Sequence, residues 1–183
     1  EDSETTIIDA DLSFTVVTFN NDSSYLSGFT LKRGYSNTTG AGINIFNNSS
    51  PILNDLIITD NVTDDTGGGG FLGAGGGIAV IESNIILSNS SIHNNSAHDG
   101  GGIAIVDNST ATINNSIMKN NYASDDGAGL YIRYGSTVEL NYVEITNNEA
   151  LYAGGAIMMG SLGQDSSASI QINNSTISNN LVT

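Results

Sequence analysis

One pattern constrains this chain more than any other: an apolar residue, a variable residue and a pair of asparagines recur about every 26 residues. The copies are Ile92-His93-Asn94-Asn95, Met118-Lys119-Asn120-Asn121, Ile145-Thr146-Asn147-Asn148 and Ile177-Ser178-Asn179-Asn180. Asn121 follows Asn95 by 26 positions, and Asn148 follows Asn121 by 27. Each block also carries a glycine cluster that runs into an apolar strand: Gly75-Gly76-Gly77-Ile78, Gly100-Gly101-Gly102-Ile103, Gly127-Ala128-Gly129-Leu130 and Gly154-Gly155-Ala156-Ile157. A period that restores the same residue types in register means one structural unit stacked on copies of itself.

The period divides into three short alternating segments, the signature of half-buried strands. The first follows the glycines, as in Ile103-Ala104-Ile105 and Leu130-Tyr131-Ile132. Its first and third residues are expected inside, which places Asn44, Ala79, Ala104, Tyr131 and Met158 outside. The second is Ile85-Ile86-Leu87 and its equivalents, and the third ends at Ile92 and its equivalents. Stacking at about 4.8 Å then predicts two buried columns: Leu53, Leu87, Ile113, Leu140, Ile172, and Ile58, Ile92, Met118, Ile145, Ile177. The expected fold is all-β, a parallel β-helix (solenoid) of about six coils of three short strands, roughly 25–30 Å long.

Asparagine suits the bends because it tolerates positive φ and bonds its own backbone, and stacked amides form ladders. Gly/Ser/Asp-rich insertions interrupt the period at 62–76 and 160–168 and are expected to leave the rod as loops. The 183 residues read as a single domain, 1–183, and as a piece of a longer protein, with further coils or domains of the parent chain at the ends.

The net charge of −15, with Lys32, Arg33, Lys119 and Arg133 the whole basic complement, argues against nucleic acid, whose binding rests on neutralising phosphates. It equally disfavours anionic membranes. No apolar run approaches the ~20 residues of a spanning helix, so direct membrane insertion is not expected. The absence of cysteine excludes disulfides and thiolate metal sites.

On these repeats the chain resembles the pectate-lyase-like right-handed parallel β-helix superfamily. The GGA(I/L/V) tetrapeptide at Gly154–Ile157, and the apolar-x-x-Asn tetrapeptides ending at Asn95, Asn121, Asn148 and Asn180, are similar to repeats of chlamydial polymorphic outer-membrane proteins. Leu26-Ser27-Gly28-Phe29-Thr30-Leu31 also resembles the opening coils of secreted bacterial β-helix proteins. The resemblance implies a secreted or cell-surface location. It does not imply one activity.

Chemistry of the lyase type needs a base and a cation-assisted acid site. Lys119 and Arg133 are expected on different sides of the rod. A glycosidase needs two carboxylates roughly 5–9.5 Å apart, and Glu139 and Glu144 point to different faces. No catalytic residue is therefore assigned. His93 and His98 read as surface histidines, and the Asn-x-Ser/Thr sequons, such as those at Asn48 and Asn108, read as turns.

One cation site is expected. Asp99 and Asp126 precede successive glycine clusters, Asp125 adjoins, and Asp65 (with Asp64) lies before the corresponding earlier cluster. Stacked carboxylates repel, and Ca²⁺, with oxygen ligands, relieves the repulsion. The alternative is that these are solvated turn-forming aspartates with no cofactor. The functional expectation is a non-catalytic extracellular spacer or adhesin-like segment, contacting carbohydrate or another surface protein. The runner-up is a polysaccharide-binding or polysaccharide-degrading β-helix.

Overall fold

A computed structural model describes residues 6–64, 73–160 and 167–183. Within them every regular element is a strand and every strand pairing is parallel. Three sheets run along the rod. One six-stranded sheet holds the strands that follow the glycines: Val17–Asn20, Ile43–Phe46, Ile78–Ile81, Ile103–Val106, Leu130–Ile132 and Ile157–Met159. The eleven-stranded sheet holds the second and third segments of every coil. In the early coils these are fused into Tyr25–Lys32 and Ile52–Thr59; later they separate, as in Thr110–Asn114 and Ile117–Lys119.

The third sheet adds a fourth, very short strand to the three expected in each coil. The residues just after each Asn pair form a two-residue strand: Ser96–Ala97, Tyr122–Ala123, Glu149–Ala150 and Leu181–Val182. Each is too short for alternation to be visible in the sequence. Val62–Thr63 belongs to the same sheet, so the first insertion starts later than position 62; residues 65–72 lie outside the described residues. Of the second insertion, 161–166 lie outside them.

The two aliphatic columns form in the expected register. Leu53 pairs with Leu87, Leu87 with Ile113, Ile113 with Leu140, and Leu140 with Ile172. Ile58, Ile92, Met118, Ile145 and Ile177 stack likewise. All are fully buried except the last of each column, Ile172 at 43% and Ile177 at 42% exposure, which have a neighbour on one side only. At the other end Ile7–Asp9 adds a strand beside Thr30–Lys32, and the Asp9 carboxylate is gripped by Lys32 and Arg33.

The two asparagines of each pair divide the work. The first takes the left-handed conformation: Asn94, Asn120, Asn147 and Asn179 have φ of 53–56°. The second turns inward. Asn61, Asn95, Asn121 and Asn148 are buried, and each Nδ2 donates to the Oδ1 of the next coil's asparagine at 2.9–3.1 Å. The backbone N–H of each donates to that same Oδ1, and each Nδ2 also reaches a carbonyl one coil back, Ile58, Ile92 or Met118 for the last three. A buried amide is thus fully satisfied, which burial requires. A serine column, Ser49, Ser83, Ser109 and Ser136, does the same at another bend: each hydroxyl accepts from the backbone N–H of the preceding coil. Nothing in the sequence reading anticipated it.

The outer face of the six-stranded sheet departs from expectation. Ala79 and Ala104 are fully buried and Tyr131 is 3% exposed. The glycine turn preceding each strand folds back over it: Gly127 has φ of +64°, and a Cβ there would sit 3.0 Å from that of Tyr131. Ala74, Ala104, Val106 and Tyr131 form a second small apolar cluster outside the main core.

Two substitutions test this packing. Ile113→Asp is expected to cost several kcal/mol, about what an unpaired buried charge costs, whereas Thr112→Asp, on the outward face, should cost under about 1 kcal/mol. Urea melts that gave both variants the same midpoint would contradict the register. Asn121→Ala strips an acceptor from the Asn95 amide and backbone N–H together, and should cost roughly 2–6 kcal/mol at about 1–3 per orphaned group. Asn120→Gly, at the left-handed position beside it, should be close to neutral by the same melts.

Candidate functional site

The turn before each strand of the six-stranded sheet is itself a column. Thr39, Ala74 and Asp99 stack by single bridges, as do Asp126 and Ala153, and Gly100 N–H donates to Asp126 O. Asp99 and Asp126 are therefore neighbours on successive coils. The Asp126 backbone N–H donates to Asp99 Oδ1 at 3.2 Å. One residue earlier, Asp125 N–H donates to His98 O at 2.9 Å, so His98-Asp99 lies directly against Asp125-Asp126.

Ligand atoms of His98, Asp99 and Asp125 all lie within 4.8 Å of one another. His98 Nδ1 is 3.6 Å from Asp99 Oδ2 and 3.9 Å from Asp125 Oδ2, too far for hydrogen bonds. Asp99 and Asp126 are only 7% and 8% exposed, and Asp126 Oδ1 is buried with no hydrogen-bond partner. Burial raises both carboxyls above their ordinary value of 3.8. The neighbouring acids add to this, while His98 opposes it at both groups and Arg133 at Asp126. Beside them Arg133 Nη1 donates to the Tyr131 hydroxyl, and its guanidinium lies over the Tyr131 and Tyr134 rings. Burial, followed by the Asp99 charge, pushes the Tyr131 hydroxyl well up.

Of the four expected cation ligands, the structure brings Asp99 and Asp125 together, while Asp126 adjoins them through its backbone N–H to Asp99. Asp65 lies outside the described residues, and Asp64 is exposed and not part of the cluster. His98, read from sequence as a surface residue, belongs to the group. The missed signal is a repeat: His98-Asp99 and Asp125-Asp126 stand one 27-residue period apart. His93 behaves differently. It stacks between Thr59 and Lys119, with Nδ1 3.0 Å from Thr59 Oγ1, and burial, then the Lys119 charge, lowers its pKa.

A second acidic pair lies at the opposite end of the same strands. Glu82 and Asp107, with Asn48 and Asn108, line a shallow groove of about 290 Å³. Burial and the Glu82 charge raise the Asp107 carboxyl. Sequence reading overlooked this pair because both residues take the left-handed bend after the strand, with φ of 48° and 60°, outside the alternating pattern.

The raised carboxyls have a consequence for stability. A group that binds its proton more tightly when folded stabilises the fold below its unfolded pKa and loses that contribution as pH rises through the folded one. In chelator-treated protein, Asp126→Asn should therefore raise the melting temperature at neutral pH, and the gain should shrink as pH falls toward about 4. His93 titrates in both proteins, so its opposite effect cancels from the difference. Asp9, held at about 2 chiefly by its hydrogen bond to Arg33, loses its own stabilising contribution only below 3.8. Calorimetry across this range that found wild type and variant parallel would contradict the buried geometry.

Compared with known proteins, the chain matches the family described as right handed beta helix region over residues 4–182. No curated protein matches it, and no solved structure matches it. The match covers nearly the whole chain and agrees with its three parallel sheets and stacked coils, and we conclude that the chain belongs to the right-handed β-helix family.

Proposed function

We propose that this chain is a non-catalytic spacer segment of an extracellular or cell-surface protein, a rod extended coil by coil. One observation carries the reading: the same coil propagates through insertions without loss of register. Asn61 and Asn95 are 34 positions apart and Asn148 and Asn180 are 32, yet both pairs make the ladder bond of the regular 26- and 27-residue steps. An architecture of this kind adds length by adding coils. The placement outside the cell rests on the resemblance to surface solenoid repeats.

A duplicate of residues 125–151 joined after Thr183 supplies the next coil in phase, since Ala123 stacks on Ala150 and Ala150 on Val182. We expect the rod to lengthen by about 4.8 Å in solution scattering and the melting temperature to rise. A lower melting temperature with no lengthening would overturn the spacer reading.

The groove of Glu82, Asp107, Asn48 and Asn108 favours a second reading, carbohydrate binding, because two carboxylates on adjacent coils flanked by amides match sugar hydroxyls. Glycan-array binding that is lost in the double variant Glu82→Gln, Asp107→Asn would favour it over the spacer.

A further inference from the structure

We propose that His98, Asp99 and Asp125 bind a transition-metal dication of the zinc class rather than calcium. The donor set is one imidazole nitrogen and carboxylate oxygens on two successive coils. Calcium takes six to eight oxygens, whereas imidazole suits zinc and its neighbours in the series. The spacing agrees. Four ligands at about 2.1 Å in a tetrahedron stand roughly 3.4 Å apart. The His98 Nδ1 contacts are 3.6 and 3.9 Å, wider than hydrogen bonds and close to the edges of such a polyhedron.

Asp126 gives a second, independent indication. Its Oδ1 is buried and unpartnered one coil away from Asp99, whose Oδ1 receives the Asp126 backbone N–H. A buried carboxylate oxygen without a donor is costly, and a cation removes that cost. Entry is open, since the His98 and Asp125 side chains are 38% and 39% exposed. Arg133, the guanidinium nearest these acids, is stacked over Tyr131 and Tyr134. A metal here would clamp two neighbouring coils together at a point where the repeat otherwise stacks like charges.

The test is direct titration of the metal-free protein with Zn²⁺ and with Ca²⁺ at fixed ionic strength, and with Co²⁺ as a spectroscopic probe. We expect one saturable Zn²⁺ site, a rise in melting temperature on Zn²⁺ addition that Ca²⁺ at equal concentration does not reproduce, and visible tetrahedral Co²⁺ bands. His98→Gln should weaken Zn²⁺ binding by about tenfold or more and abolish the bands. His93→Gln, at the one other histidine of the chain, should leave both unchanged. If His98→Gln does not fold, Asp125→Asn, at a half-exposed position, serves in its place and should weaken binding likewise. Equal stabilisation by Ca²⁺ and indifference to His98→Gln would overturn the proposal in favour of an oxygen-only calcium site. So would loss of binding in His93→Gln, or no saturable binding at all. None of these failures touches the spacer reading, which is tested by rod length.

Discussion

In a solenoid every bend turns backbone N–H groups away from the sheet ladders, and these groups must find partners. Here the partners are side chains of the next coil. Asn61, Asn95, Asn121 and Asn148 each pass a backbone N–H and an amide N–H to the following asparagine, and Ser49, Ser83 and Ser109 pass theirs to the following serine. A buried donor left unpaired would cost about 1–3 kcal/mol. Register between coils is consequently fixed at the bends as well as by the aliphatic columns, and a slip by one residue would orphan the ladder while turning the core outward.

The same stacking explains the acidic site. A repeat that places equivalent residues one strand spacing apart also stacks whatever charges occupy equivalent positions. Along most of the rod this is harmless: the third-strand column alternates Lys32, Thr59, His93, Lys119 and Thr146. At Asp99 and Asp126 two acids on successive coils are buried, and burial first, with the neighbouring Asp125 charge, makes their carboxyls resist ionisation. Such a buried pair is a place where a bound cation would relieve repulsion.

The cluster was only partly legible in the sequence. Asp99, Asp125 and Asp126 stood out because they precede glycine clusters, and counting one period joins them. His98 did not, since it lies outside any strand and its partners come from the turn of the adjoining coil. The Glu82–Asp107 groove escaped for a related reason, as left-handed bend residues carry no periodicity to read.

By itself the sequence determined the solenoid, the coil period and the two inward columns, because a strand's side chains alternate and a 26- to 27-residue repeat leaves only one stacking register that buries Leu87, Ile113 and Leu140 together. Tertiary structure alone decided what lies outside the core. Whether Ala104 and Tyr131 meet water depends on how the preceding glycine turn folds over them, and whether two aspartates become a buried pair depends on contacts between coils. Alternation states which face a side chain takes, but what covers that face is set by chain segments distant in sequence.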